Sequence, residues 1–321
     1  MNLSPGFLVV DKEAGITSHD VVAMVRAVTG IKKVGHTGTL DPFAQGVLPL
    51  ALGSATRLIR HLDESEKVYD ATIALGVATD TGDPTGEIIE ESSVLPFDAA
   101  KVDAVLESFL GDRMQKPHRF SAVKVKGKRL YEYARKGEEV EIEARPIHIY
   151  ALRALDMSDT TLRVELTCSR GTYARGLADE IAVALGTVGH LSALTRLRSG
   201  PFELGRALSL STLSEIVAGT PEWTLALRRQ RGADRVPWFP REQVHGALQE
   251  HMFSPLDALH HLPLLPVSQG VAETLLRGGP VPPPPIGVKA GGRYLLVAGD
   301  RLLAMGESGG GSEATVLWRS S

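Results

Sequence analysis

Apolar residues change their spacing several times along this chain, and each change marks an element. Phe7–Val10 is an unbroken apolar run with the look of a short buried strand. Ser18 or Asp20 then stands where a helix cap is expected, ahead of Val21, Val22, Val25 and Val28. Tyr69, Ala71, Ile73 and Leu75 alternate with Asp70, Thr72 and Ala74, a half-buried strand that ends at Gly76. Asp98 opens a helix that places Val102, Val105, Leu106 and Phe109 on one face and stops at Gly111. Leu162, Val164, Leu166 and Cys168 alternate again, and a helix follows to about Leu185. Strands that neighbour like hairpins, without regular strand–helix–strand spacing, predict an α+β domain around an antiparallel or mixed sheet.

The character of the chain changes after about Leu210. Residues 216–252 are polar, with an Arg228-Arg229-Gln230-Arg231 cluster, two tryptophans and several prolines. Residues 280–287 are proline-rich and stiff, a loop of polyproline type. Tyr294–Val297, Arg301–Ala304 and Thr315–Trp318 alternate between glycine-rich turns, the pattern of a small all-β module. A length of 321 residues accommodates two domains, and 43% hydrophobic with 23% charged residues predicts a packed core. The lone Cys168 rules out an internal disulfide and suits a reducing cytosol. There is no apolar run of membrane-spanning length and no basic-then-apolar leader pattern, so a soluble, cytoplasmic protein is expected.

Formal net charge is −3, which taken alone argues against a polyanionic ligand. Its distribution argues the other way. Nine basic residues lie between Asp112 and Lys136 against only Asp112 and Glu132, a local excess of +7. Among them stand Phe120, Tyr131 and Tyr133, so phosphates and bases both find partners there. Glu138, Glu139, Glu141 and Glu143 follow at once, and a plain solvated face with self-paired charges is the competing reading.

Candidate chemistry concentrates in Gly35-His36-Thr37-Gly38-Thr39-Leu40-Asp41-Pro42-Phe43-Ala44-Gln45-Gly46-Val47-Leu48-Pro49. Its glycines and the Asp-Pro step disfavour helix, leaving a fixed loop that presents one acid, Asp41. An acid so placed commonly caps a turn. The segment lacks the Gly-Lys-Ser/Thr ending of a phosphate-binding loop, and His36, His61 and His260-His261 are too scattered to predict a metal site.

The whole fifteen-residue string resembles the catalytic loop of the TruB family of tRNA pseudouridine synthases. Further similar segments follow in order. Lys67-Val68-Tyr69 resembles the family's Lys-x-Tyr strand, followed by Thr79-Asp80-Thr81-Gly82-Asp83. Ser121 to Gly137 is similar to its Ser-Ala-x-Lys-x-x-Gly-x-x-x-Tyr-x-x-Ala-Arg-x-Gly signature. Cys168-Ser169-Arg170-Gly171-Thr172-Tyr173-Ala174-Arg175 and Leu194 to Phe202 match as well. One departure shows in Lys12-Glu13-Ala14-Gly15-Ile16-Thr17-Ser18, where Glu13 replaces the family's proline. The likeness is strong over residues 5–215 and weaker over 254–321, and the polar stretch 216–252 has no counterpart in it and reads as an insertion.

The resemblance implies a pseudouridine synthase fold, α+β with a mixed, largely antiparallel sheet flanked by helices. It divides the chain into a catalytic domain, 1–253, with a thumb-like basic insertion over about 112–143, and a PUA-like RNA-binding β-barrel, 254–321. It makes Asp41, Tyr69 and Arg175 the catalytic set: Asp41 acts on the nucleotide, Arg175 is its cationic partner, and Tyr69 stacks on the target base and, like water, is a candidate to take the proton lost from C5. His36, Tyr173 and Leu194, with Lys12, Lys124, Lys126 and Lys128, are the expected substrate contacts. The implied reaction converts the T-loop uridine at position 55 of tRNA into pseudouridine on a flipped-out nucleotide. It is an isomerisation by a monomer that needs no cofactor, metal, membrane or protein partner beyond the T stem-loop of tRNA. A non-catalytic RNA-binding scaffold and a homologue acting on another RNA are the alternatives. A glycosidase would need two cooperating carboxylates where only Asp41 stands out.

Overall fold

The computed structural model describes residues 3–63, 66–94, 96–121, 123–134, 136–218, 241–310 and 313–320. The stretch 219–240, most of the expected insertion, lies outside the described residues. In chain order the first strands are β1 (Gly6–Lys12), β2 (Val34–His36), β3 (Gln45–Leu52), β4 (Glu66–Leu75), β5 (Val77–Thr79), β6 (Ile88–Glu91) and β7 (Gly111–Gln115). A short hairpin, β8 (Lys124–Val125) and β9 (Lys128–Arg129), precedes β10 (Arg145–Met157) and β11 (Thr161–Ser169). Then come β12 (Gly189–Ser199), β13 (Phe202–Glu203), β14 (Leu208–Ser209) and β15 (Met252–Phe253). The helices of this part are α1 (Ser18–Thr29), α2 (Ala99–Glu107), α3 (Leu130–Ala134), α4 (Ala174–Leu185), α5 (Leu210–Ala218) and a further helix at Arg241–Gln249.

Eleven of these strands form one sheet along the path β14-β1-β3-β12-β4-β11-β10-β7, with β2, β13 and β15 on its flanks. Every pairing is antiparallel except β1–β14 and a two-residue stretch between β12 and β3. The expected α+β architecture with a mixed, largely antiparallel sheet is what the chain adopts.

The two ends of the sheet are covered differently, and the sequence pattern follows. At β1 and β3, alternate residues serve two cores. Leu8, Val10, Leu48 and Leu50 face the helices. Phe7, Val9, Val47 and Ala51 face the C-terminal unit. Both faces are buried, so the run is continuous rather than alternating. At β4 and β11 only the helix side is covered. Ala71, Ile73, Val164 and Leu166 join the core, while Asp70 pairs with Arg163 on the open face.

Two helix starts show what local chemistry decides. Thr17, not Ser18 or Asp20, caps α1, and Asp20 completes a reciprocal capping box with it. Ser18 instead points inward, exchanging hydrogen bonds with the backbone of Leu40 at 3.0 and 2.9 Å. Asp98 caps α2 as expected, although the helix ends at Glu107 and Gly111 begins β7 with φ +89°.

The C-terminal unit is a four-stranded sheet of order β16 (Leu264–Pro266), β17 (Arg293–Ala298), β18 (Arg301–Gly310) and β19 (Glu313–Arg319). The β16–β17 pair is parallel and the others antiparallel. Its Leu295, Val297, Met305 and Trp318 pack into one cluster with Phe7, Phe202 and Phe253 of the larger sheet. The Trp318 indole N–H also donates to the Ser54 carbonyl at 3.0 Å. Residues 252–253 pair with β1, and the helix Arg241–Gln249 joins the main core through Val244 and Leu248. One core cluster therefore spans the chain on both sides of 253, while Leu275, Tyr294, Leu296 and Leu303 form a cluster of the C-terminal unit alone.

Phe202 lies between Phe7 and Phe253 at ring distances of 5.5 and 5.3 Å in that shared cluster. Phe202→Ala should cost about 3–5 kcal/mol, and a urea melt followed by circular dichroism should keep one transition at a lower midpoint. A curve that splits in two would show that the C-terminal unit folds independently of the sheet.

Candidate active site

The loop between β2 and β3 is held from behind before it presents anything. Gly46 has φ +97°, and a Cβ there would lie 2.3 Å from the Arg196 carbonyl oxygen, so only glycine allows β3 to meet β12 at this point. Arg196, fully buried, then reaches into the loop. Its Nε donates to the Val47 carbonyl at 2.7 Å, and its Nη groups donate to the carbonyls of Gly38 and Thr39 at 3.1 and 3.4 Å. Lys12 braces the other end. It is fully buried, and its Nζ donates to the carbonyls of Glu13, Ile16 and Pro42 at 2.9, 2.8 and 3.2 Å. Burial lowers its pKa to about 8. With its ammonium committed to three carbonyls, Lys12 is a strut under Asp41-Pro42 and is not in position to meet a substrate phosphate. Glu13 adds its carbonyl to this arrangement, a task that does not require proline.

Asp41 emerges from the braced loop beside α4. Its Oδ2 lies 2.9 Å from Arg175 Nε. The Arg175 side chain is only 5% exposed and that of Asp41 is 34% exposed, so the acid faces an opening while the cation is enclosed. An arginine in the first turn of a helix opposes the helix dipole and needs compensation from elsewhere. Asp41 supplies part and Asp83 the rest, with Oδ2 3.2 Å from Arg175 Nη1. Nη1 also donates to the Thr81 carbonyl and Nη2 to the Phe120 carbonyl, at 2.8 and 2.9 Å. Asp83 is itself fixed by Thr81 Oγ1 and by the backbone N–H of Thr85, at 2.8 and 3.0 Å. His118 closes the ring with Nδ1 3.4 Å from Arg175 Nη1, and burial lowers its pKa to about 4, so it is neutral.

A cleft of about 350 Å³ opens over the acid, with Lys67, Tyr69, Ser121, Tyr173, Arg175 and Leu194 in its wall. Burial pushes the Asp41 carboxyl above its ordinary value, with the Arg175 charge the main counterweight, Asp83 adding to the rise and Lys12 opposing it. Tyr69 is buried, which raises its pKa and keeps the phenol protonated, and Arg196 both faces it with its charge and hydrogen-bonds to it. Burial raises the Tyr173 pKa as well, and Ser121 lines the same cleft beside it.

The structure thus gathers Asp41, Tyr69, Tyr173, Arg175 and Leu194 around one cleft. His36 stands outside its wall on β2 opposite Leu50, with Nδ1 shielded from solvent and without a hydrogen-bond partner among the described residues. Lys124, Lys126 and Lys128 are exposed on the β8–β9 hairpin, which begins one residue after Val123 in the cleft wall. Lys126 and Gly127 both have positive φ, the geometry of a tight two-residue hairpin turn. Beside them Lys128 lies 5.7 Å from the Tyr133 ring and Arg129 5.8 Å from Tyr131. Among the described residues, no ion pair joins this hairpin to Glu138, Glu139, Glu141 or Glu143. A second hollow of about 540 Å³ is bounded by Thr37, Thr56, Arg57, Ile59, Arg60 and Arg170. No His, Cys, Asp or Glu cluster of metal-binding size occurs among the described residues.

Four residues of this site are not apparent from sequence. Asp83 is hidden by its own turn, whose demands it also meets. Gln115, which hydrogen-bonds to the Tyr173 backbone, and His118 carry no local signal. Arg196 does leave one, because it sits two residues from Leu194 on β12 and shares its inward face.

The matched family model is the TruB family pseudouridylate synthase N-terminal domain, over residues 26–174. A tRNA pseudouridine synthase B of Geobacter sulfurreducens is 43% identical over 92% of this chain and 88% of its own length. A protein of the same name from Geobacillus thermodenitrificans is 40% identical over 92% of each chain. The chain belongs to the TruB family of pseudouridylate synthases. In fold it also resembles a chain in the crystal structure of a Cbf5-Nop10-Gar1 complex, with TM-score 0.67 and 24% identity over 98% of this chain and 85% of that one.

Replacing Arg175 with Met removes the principal cation opposing the rise in the Asp41 pKa. That pKa should climb further, moving the acid limb of the pH–rate profile to higher pH and lowering the rate at neutral pH by roughly 10²-fold. An acid limb that stays in place would sink the pairing as the control on Asp41.

Proposed function

We propose that this chain isomerises the T-loop uridine at position 55 of tRNA to pseudouridine, with Asp41 as the group that acts on the nucleotide. The observation that carries the reading is the Asp41–Arg175 pair, one carboxylate oxygen held by a buried guanidinium at the floor of a cleft lined by two tyrosines. The target base must leave its stack to reach that floor, and the Tyr69 ring and Leu194 offer flat apolar surface to receive it. Lys124, Lys126 and Lys128 on the exposed hairpin supply the positive charge that holds the RNA backbone.

The reaction breaks the C1′–N1 bond and forms a C1′–C5 bond. N1 gains a proton and C5 loses one, so the overall change needs no oxidant, water or group donor. Asp41 Oδ can bond to C1′ as uracil departs, or add to C6 of the base; both routes place the carboxylate beneath the ring. In each, the Arg175 guanidinium keeps the carboxylate ionised until it attacks. Tyr69 stays protonated in its buried position, so it serves as a stacking surface, and a water entering the open side of the cleft takes the C5 proton.

A non-catalytic RNA-binding scaffold has less support. A binder of polyanions gains nothing from an ionised acid set against the arriving phosphodiester.

Asp41→Asn should abolish tritium release from tRNA labelled at uridine C5 while leaving tRNA affinity within a few fold. Turnover near the wild-type rate in that variant would overturn the assignment. Replacing Lys124, Lys126 and Lys128 together by Gln should weaken binding and reduce the slope of log K against log salt by about 0.7–0.9 for each phosphate no longer neutralised. An unchanged slope would place the RNA elsewhere.

A further inference from the structure

The basic hairpin is joined to the sheet through a narrow neck. The chain leaves β7 at Gln115 and returns to β10 at Arg145, and these two residues are cross-strand partners. Everything between them, including Lys124, Lys126 and Lys128, hangs from that pair. The Gln115 side chain does not point to solvent, being 4% exposed. Its Nε2 donates to the Tyr173 carbonyl at 3.1 Å, and its Oε1 accepts from the Tyr173 backbone N–H at 2.8 Å. A carboxamide offers one donor and one acceptor in a plane, as a peptide group does, so this pairing is a single rung of β-ladder made by a side chain. The residue it grips is the N-cap of α4, which has no side-chain cap of its own. Two residues further on is Arg175. The same neck touches that arginine again through the Phe120 carbonyl and His118, and its Ser121 lines the cleft with Tyr173.

We propose that Gln115 is a positioning residue: its amide fixes the 171–175 turn, and so Arg175 and Tyr173, to the neck of the RNA-holding hairpin. The hairpin and the partner of the acid then move as one body, so the pairing of Arg175 with Asp41 is kept as RNA seats on the hairpin. The inference rests on the uridine isomerisation proposed above and adds a residue that never touches the substrate.

The test uses the full chain and a tRNA transcript under single-turnover conditions. Gln115→Met fills the same space without donor or acceptor. It should slow the chemical step roughly 10- to 100-fold, as small misplacements of reacting groups do, while tRNA affinity shifts less than about threefold. Gln115→Glu gives a readout that a merely structural role would not. A neutral carboxyl reproduces both hydrogen bonds of the amide, whereas a carboxylate sets an acceptor against the Tyr173 carbonyl. This variant should work near the wild-type rate at low pH and acquire an alkaline limb that the wild type lacks. Arg145 across the strand and Arg175 on the gripped turn are the cations that favour its ionisation, Asp41 is the anion that opposes it, and Tyr173 is the titratable group beside it. Should Gln115→Met fail to fold, the pH profile of Gln115→Glu still decides. A wild-type chemical rate in Gln115→Met, or no new alkaline limb in Gln115→Glu, overturns the proposal. Wild-type protein that makes no pseudouridine would instead overturn the reading of the site itself.

Discussion

Arg175 is a cation taken almost wholly out of water, and the site is organised around the cost of doing so. An isolated buried charge is expensive, and even a paired one is tolerated only when its remaining donors find acceptors. Here three separate stretches of chain converge on the one guanidinium that α4 carries: the Asp41 loop, the turn at Thr81–Asp83 and the segment His118–Phe120. Lysine could not take its place, because a point charge cannot address acceptors lying in a plane on several sides. The arrangement has a chemical corollary. Asp41 is enclosed enough that burial raises its pKa, and the same enclosure strengthens the opposing field of the arginine beside it. Burial and pairing therefore set the ionisation of the acid jointly, leaving it sensitive to any change in that partner.

A second buried arginine does the mechanical part. Arg196 ties Gly38, Thr39 and Val47 into one piece, and Lys12 and Ser18 secure the far side of the same loop. The irregular backbone around Asp41 is thus as well bonded as a strand. The acid need not be ordered when a nucleotide arrives, since its surroundings are preorganised by folding.

Much of this could be read from residues alone, and the reasons for the misses are physical. Period and alternation located β4, β11, α2 and α4, because each buries one face only. The glycine- and proline-marked loop stood out through turn chemistry. Asp83 did not, since a turn-capping aspartate and an arginine-anchoring one look identical in sequence, and this residue is both. The cap of α1 went to Thr17 because Ser18 was needed 22 positions away at Leu40. The division near residue 253 reflected a real change of pattern. That pattern could not reveal that Phe7, Phe202 and Trp318 would share one core, since these residues are distant from one another along the chain.

The uneven charge of the chain has a consequence for how a nucleic acid arrives. A body of net charge −3 that carries a +7 stretch near one cleft leaves the rest of the chain net negative. A polyanion that meets that remainder is repelled, so the two turn relative to each other before they touch. Productive encounters are sorted by orientation in solution, at distances up to a Debye length of about 8 Å at physiological salt. The acidic surface, which adds nothing to holding RNA, thereby narrows the directions from which RNA is captured.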